Sequence, residues 1–307
     1  MDIVKRRFWY FTISAVLLVI CVSSLIVPPR LTLGIDFSGG STMTVVFDSE
    51  IKSESVRERL NQLGYNDATV QQSGTNTVFV RMSKLEEGNE STGRKSDRLL
   101  IEEDLSNLAR IESVDVATVS GVVANDTVNN AVIAVVVASI GILIYVTYSF
   151  RGVSNPFRYG VAAIVALIHD SLIVLGLFSL LGKFMGLEIN AMFIPGILVV
   201  IGYSVNDTIV VFDRVRENAS IDPDRPLSMI VNDSITQTIG RSLNTSVTLL
   251  LTIFALIFLG GESIRNFLYV LLIGLIVGTY SSIFIACQFL VMWEQGELRL
   301  SFGKKSK

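Results

Sequence analysis

Apolar residues in this chain come mostly in long unbroken runs. Six of them, Phe8–Val27, Val128–Ser149, Tyr159–Leu181, Ile189–Phe212, Leu243–Gly260 and Phe267–Trp293, are long enough to cross a bilayer core as helices, which takes about 20 residues. The sixth is longer than needed, so it tilts or continues as an interfacial helix. Between the first and second runs the pattern changes. Ser41–Phe47 alternates and is rich in β-formers, Ala68–Gln72 and Thr77–Met82 flank the turn Ser73-Gly74-Thr75-Asn76, and Ser113–Ser120 alternates again; these read as strands. Ile51–Leu63 places Ile51, Val56, Leu60 and Leu63 near helical spacing and stops at Gly64, and Asp97–Arg110 puts Leu100, Ile101, Leu105 and Leu108 on one side; these read as helices. Lys84–Lys95 is polar and reads as a mobile loop. The order β-α-β-β-α-β is that of a ferredoxin-like α+β domain.

The predicted fold class is therefore an α-helical membrane protein with six transmembrane helices and one extracytoplasmic α+β ferredoxin-like domain. Its expected parts are a first helix over 1–28, the α+β domain over 29–127, a five-helix region over 128–297 and a basic tail over 298–307. Composition agrees: half the residues are apolar, 17% are charged and the mean hydropathy is +0.55. The first run follows Lys5-Arg6-Arg7, lacks a small-x-small cleavage site and precedes Pro28-Pro29, so it reads as an uncleaved signal anchor. Lys5, Arg6 and Arg7, then Arg151 and Arg158, then Arg214, Arg216, Arg225 and Arg241, then Arg299, Lys304, Lys305 and Lys307 gather on one side. The short loops of the other side carry Lys183 and Arg265. The positive-inside rule places both termini in the cytoplasm. The net charge of −3 gives no sign of nucleic acid as a partner. Cys21 and Cys287 lie inside apolar runs and read as free thiols. One histidine leaves no metal-ligand spacing, and no Walker-type phosphate loop is present, so nucleotide hydrolysis by this chain is not expected.

Asp207 stands out inside the fourth run. A charge in hydrocarbon costs at least a few kcal/mol, and a carboxylate relieves that cost by taking a proton. Asp207 is thus a candidate proton carrier, with Ser204, Tyr203 and Asn206 in reach as hydrogen-bond partners. The alternative is a helix-end carboxylate near the headgroups, about 9 Å inside the boundary marked by Asp213 at a 1.5 Å rise. Four apolar residues, Ile209–Phe212, argue against that alternative. Arg241 opens the fifth run at similar depth. Its guanidinium would hold the deprotonated carboxylate and release it on protonation; otherwise it is a positive-inside anchor. Asn244, Thr245, Ser246 and Thr248 continue a polar stripe beyond what an anchor needs. His169-Asp170, mid-way along the third run, is a proton relay, a mutually satisfied structural pair or a contact to a neighbouring subunit. Pro195-Gly196 and Gly202 are expected to interrupt the fourth helix, Gly274–Gly278 has the GxxxG spacing of close helix packing, and Gly39-Gly40 reads as a turn.

Several stretches together resemble the SecD/SecF protein-export family, of the SecF type, within the resistance-nodulation-division (RND) superfamily. They are Leu33-Gly34-Ile35-Asp36-Phe37-Ser38-Gly39-Gly40, Ala166–Asp170, Ile201–Val211 with its Asn206-Asp207 pair, Asp213–Asn218, Thr236-Gln237-Thr238 with Arg241, and Gly278-Thr279-Tyr280-Ser281-Ser282. The resemblance covers nearly the whole chain. It implies a non-enzymic subunit of the bacterial plasma (inner) membrane that pairs with SecD and joins the SecYEG channel. Such a subunit meets SecA and a YidC-type insertase indirectly, within membrane lipid, and uses the proton-motive force to draw the translocating preprotein outward. It implies no cofactor beyond protons as the coupling ion, with Asp207 and Arg241 as the proton-coupling residues. The expected cycle has ionised Asp207 holding Arg241 and protonated Asp207 letting the helices part. Two other readings stand beside it: half of an RND-type small-molecule or lipid exporter, and a passive translocon scaffold. An intramembrane hydrolase is disfavoured, since no serine dyad with His169 is evident.

Overall fold

The computed structural model describes residues 2–83, 85, 96–153, 155–261 and 264–297. The chain divides into two compact units, Met1–Thr32 with Ala131–Lys307, and Leu33–Asn130. All but one residue of Lys84–Lys95, and the basic tail after residue 297, lie outside the described residues.

The first unit is helical. Its spans are α1 (Arg7–Ile26), preceded by a 3-10 turn, the larger part of α5 (Gly121–Ser149), α6 (Pro156–Met185), α7 (Phe193–Ile221), α8 (Leu227–Leu259) and a last span. That last span is composite: α9 (Arg265–Ser281), a π-helical segment Ser282–Ala286, and α10 (Cys287–Glu294). These six helices are long and apolar enough to cross a membrane, so this is a multi-pass membrane protein. They differ in how much of themselves they bury: the last span buries 67% of its apolar window within the chain, α5 only 6% and α8 17%. A span so little covered by its own chain leaves its surface to lipid or to another protein.

Small residues set the interior. A Cβ on Gly274 would lie 2.1 Å from Val200 Cγ2, and one on Gly278 would lie 3.1 Å from Ser204 Cβ. The GxxxG spacing thus brings α9 directly onto α7. Likewise Gly176 of α6 abuts Cys21 of α1, where an added Cβ would lie 2.2 Å from Cys21 Cβ. Cys21 and Cys287 are free and buried. Lys183 explains itself structurally: its ammonium donates to the Ser24 and Val27 carbonyls at 2.9 and 3.0 Å, holding the last turn of α1 as a cation at a helix C-terminus does.

Several boundaries differ from the apolar runs. The second span starts ahead of its apolar run, at Gly121 of α5; Ser120 Oγ caps it by accepting the Val123 N–H at 3.3 Å. α7 and α8 extend well into polar sequence, because helix continues wherever capping and side-chain pairing allow, whatever the hydropathy. Pro195 does not interrupt α7. It sits in the first turn, where its missing N–H has no intrahelical partner to lose. Gly196 packs against Val270, and Gly202 faces open space.

The second unit holds β1 (Gly40–Phe47), α3 (Ser53–Gln62), β2 (Thr69–Ser73), β3 (Thr77–Met82), α4 (Asp97–Leu105) and β4 (Ile111–Val119), after a single turn of helix, α2 (Ile35–Ser38). The sheet order is β2-β3-β1-β4, with every neighbouring pair antiparallel, the split-βαβ arrangement. Alternation puts Met43, Val45, Phe47, Val78, Val80 and Met82 into one core with Val56, Leu60, Ile101 and Leu105 from the helices. Leu100 departs from expectation: α4 ends at Leu105, and Leu100 is 38% exposed while Ile101 is fully buried. Gly39 and Gly40 have φ of +70° and +115°. A Cβ on Gly40 would lie 2.8 Å from the Met82 carbonyl oxygen, so both the backbone conformation and the close approach of β3 call for glycine.

Candidate functional site

The polar residues inside the helical unit meet where α6, α7 and the last span pack together. Asp207 is 5% exposed and lies about 21 Å from the first residue of α7 at 1.5 Å per residue. That puts it near the middle of α7, six residues before Asp213. Its Oδ2 accepts a hydrogen bond from Ser282 Oγ at 2.5 Å. Asp170, 1% exposed, takes more donors: Ser204 Oγ at 2.6 Å and Ser281 Oγ at 2.7 Å both reach its Oδ2. His169 Nδ1 lies 2.9 Å from its Oδ1. The other imidazole nitrogen, Nε2, is buried without a hydrogen-bond partner among the described residues. The His169 ring faces Tyr280 at 6.5 Å between centroids.

The local sequence explains the convergence. Gly278 lets Ser204 and α9 approach closely; one turn on, Ser281 and Ser282 point at two carboxylates carried by two different helices. Consecutive residues on a helix diverge by about 100°, so adjacent hydroxyls reach α6 and α7 respectively. The π segment begins at Ser282, a widened turn of the kind often found at functional sites. The Ser282 carbonyl accepts from Cys287 Sγ at 3.1 Å, five residues on.

A second polar chain crosses three helices: Tyr203 Oη is 2.9 Å from Ser246 Oγ, which is 2.7 Å from Thr279 Oγ1. A third lies at the far end of α7. There Gln237 Oε1 of α8 accepts from Arg214 Nε at 2.5 Å and Asn218 Nδ2 at 3.0 Å. Arg216 donates to the Ser149 carbonyl at 3.3 Å, fastening the end of α5.

The expected Asp207–Arg241 pair does not form within this chain. Arg241 is exposed and joins none of the ion pairs found among the described residues. It lies on the outward side of α8 with Asn244, Thr245 and Thr248, whereas Ser246 turns inward. A helix can present its polar stripe to only one neighbour, and here most of the stripe faces out of the chain. Asp207's expected partners are also redistributed. Ser204 serves Asp170, Tyr203 serves Ser246, and Asn206 is exposed. His169 and Asp170 are brought to each other and to α7 and α9. Ser281 and Ser282 had no assigned role in the sequence reading. Their signal was two adjacent hydroxyls in the middle of an otherwise apolar span, one turn after a GxxxG pair.

The family model described as protein export membrane protein SecD/SecF, C-terminal, matches residues 101–296, and that for the SecD/SecF GG motif matches residues 29–51. The protein translocase subunit SecF of Thermobaculum terrenum is 41% identical, over 99% of this chain and 97% of its own length. The protein translocase subunit SecDF of Bacillus subtilis is 35% identical over 97% of this chain, which spans 39% of that longer protein. Among solved structures, SecDF from Thermus thermophilus, titled a translocon-associated membrane protein, superimposes with a TM-score of 0.81 at 32% identity. That match covers 96% of this chain and 39% of the other.

Proposed function

This chain belongs to the SecD/SecF family of protein-export membrane proteins, and on that premise we propose that it couples the proton-motive force to the outward passage of preproteins. It is a SecF-type subunit with a role in Sec-pathway translocation. The finer reading places it in the bacterial plasma membrane, with both termini cytoplasmic and residues 29–127 outside. There it works beside a SecYEG-type channel, with SecA and a YidC-type insertase as indirect neighbours, and it makes and breaks no covalent bond of its substrate. The proton is its coupling ion.

The observation that carries this reading is Asp207: a carboxyl buried mid-helix, with a hydroxyl partner and no guanidinium paired to it among the described residues. One charge crossing 100 mV releases about 2.3 kcal/mol, enough to bias an interface with two arrangements. The outward stripe of Arg241, Asn244, Thr245 and Thr248 supports a partner half of SecD type. Polar side chains at span depth face protein or water rather than lipid, and the fused relatives carry this chain's equivalent inside a protein more than twice as long. In this reading Arg241 acts across that interface, and its engagement with the proton site belongs to the assembled pair.

Export into inverted membrane vesicles at saturating ATP, with and without a pH gradient, tests the proposal. Wild type is expected to respond to the gradient. Asp207→Asn is expected to keep the assembly intact and lose the response. Equal gradient sensitivity in both would leave the passive-scaffold reading in its place, and a proton flux stimulated by drugs or lipids would favour the exporter reading.

A further inference from the structure

The buried pair His169–Asp170 has no part in a cycle built on Asp207 alone, yet it is the more heavily partnered of the two acidic centres. Its carboxylate takes two hydroxyls and an imidazole nitrogen, and His169 Nε2 is left buried and unpartnered among the described residues. A purely structural pair would be expected to satisfy both ring nitrogens. With Nδ1 turned to Asp170, Nε2 is an acceptor in the neutral ring and a donor in the protonated one, so the unpartnered nitrogen leaves both forms open to the pair.

The two acids are joined by the way serine hydroxyls work in a helix. Ser281 Oγ has two acceptors for its one hydrogen, Asp170 Oδ2 at 2.7 Å and the Gly278 carbonyl at 3.2 Å. Ser282 Oγ has the same choice, between Asp207 Oδ2 at 2.5 Å and the Thr279 carbonyl at 3.1 Å. Each hydroxyl points to its carboxyl when that group is ionised. When the carboxyl takes a proton it becomes the donor, the serine oxygen accepts, and the serine hydrogen swings back to the helix carbonyl three residues earlier. Only O–H bonds on the carboxyls form or break, and each serine keeps its own proton. The carbonyls of Gly278 and Thr279 are adjacent and lie in the turn of α9 that leads into the π segment, so each swing acts on the same turn of backbone.

We propose that His169–Asp170 is a second proton-binding centre, coupled to Asp207 through the adjacent hydroxyls of Ser281 and Ser282, so that protonation of one acid sets the hydrogen-bond state the other meets. The proposal rests on the reading of Asp207 as an acid that exchanges its proton. Charged groups on the elements packed around the pair, such as Arg7, Arg158, Arg214, Arg216 and Glu294, form ion pairs toward the helix ends. The titratable groups nearer the pair's level are Tyr280 on α9, which stacks on His169, Tyr203 on α7, Cys287 on α10, and Tyr10 and Cys21 on α1. None of these nearer groups carries a formal charge at neutral pH in its ordinary form. Ser204 is a positioning residue: its hydroxyl donates to Asp170, and although it packs on Gly278 it has no share in the Ser281–Ser282 exchange.

Infrared titration of the protonated-carboxyl C=O band, on the assembly purified through the full chain and held in lipid nanodiscs, reads both acids directly. Asp170→Asn and Asp207→Asn assign the two bands. With coupling, Asp207→Asn moves the Asp170 midpoint by about one pH unit or more, the range in which interacting sites titrate as a pair. Ser282→Ala or Ser281→Ala, small changes compatible with folding, abolishes that movement. Ser204→Ala moves the Asp170 midpoint and leaves the coupling in place. An Asp170 band that never titrates, or one whose midpoint is the same with and without Asp207, overturns the proposal. Gradient-insensitive export together with coupled bands would instead sink the motor reading and leave the coupled pair standing.

Discussion

At Ser282 a single hydroxyl decides how a buried carboxyl is held. Ser282→Ala leaves Asp207 without its donor, while Ser282→Thr restores one. A hydrogen bond to a charged group contributes about 1.5–3 kcal/mol. Gradient-driven export in vesicles is therefore expected to fall roughly tenfold in the alanine variant, about 1.4 kcal/mol, and to recover most of that in the threonine variant; an alanine variant exporting at the wild-type rate would contradict the assignment. A different carboxyl, Asp67 of the α+β unit, illustrates the exposed case. Ser83, through its side chain and its backbone N–H, holds Asp67 below the usual carboxylate range. A depressed folded value means the contact stabilises at neutral pH and is lost as pH falls through that value, below the ordinary aspartate figure of about 3.9. Amide exchange at Ser83 is expected to quicken there, beyond its intrinsic pH dependence, and in Asp67→Asn to lose that step. The effect is small, because the group is exposed and screened. At this scale the sequence was legible where chemistry is rare: one aspartate in an apolar run, one His-Asp pair. Serine is common and tolerated in any helix, so Ser281 and Ser282, although part of the Gly278–Ser282 stretch, gave no pointer to the two carboxyls until packing aimed them.

Among the elements, the pairing of α7 with α9 depends on glycine at the contact. Gly274→Ala places a methyl 2.1 Å from Val200 Cγ2, and overpacking of that kind costs about 1–3 kcal/mol. Gly202→Ala faces nothing within 4 Å and gains about 1 kcal/mol of helix propensity. Thermal unfolding of the detergent-purified chain is expected to separate them, with Gly274→Ala less stable than wild type and Gly202→Ala equal or better; the opposite order would refute the close contact. Element type was readable throughout, since period-2 alternation and long apolar runs report burial directly, and β3 falls on the residues expected, Thr77–Met82. Boundaries were less readable. α5 starts at a Ser120 cap, and α8 starts at Leu227, sixteen residues before its apolar run, because hydropathy reports the solvent around a helix and not where its hydrogen bonds begin.

For the whole molecule, the uneven coverage of the spans separates what this chain does for itself from what it offers to others. Arg241 contributes no ion pair among the described residues, so Arg241→Ala is expected to leave unfolding of the isolated chain within about 0.5 kcal/mol of wild type, as surface substitutions do, while abolishing gradient-driven export by the assembly. Arg241→Lys is expected to restore export only in part, since an ammonium lacks the planar fork of a guanidinium. A large loss of stability in the isolated chain would place Arg241 inside the fold after all. Its proposed partnership with Asp207 was the part of the site the sequence could not resolve: depth along a span is legible, but the azimuth at which a side chain leaves its helix depends on neighbours, some of them on another polypeptide.

The widened turn at Ser282–Ala286 gives the last span a surplus residue without ending it. Such a surplus behaves as a dislocation does in a crystal. Stepping it along by one position trades one main-chain bond for another, with no melting of the rod on either side. Each step turns the one residue it passes by about 100° around the rod, while the segments before and behind keep their phase. Travel of the surplus would thus exchange which side chain meets the neighbouring helices at that level, with both ends of the rod left where they were.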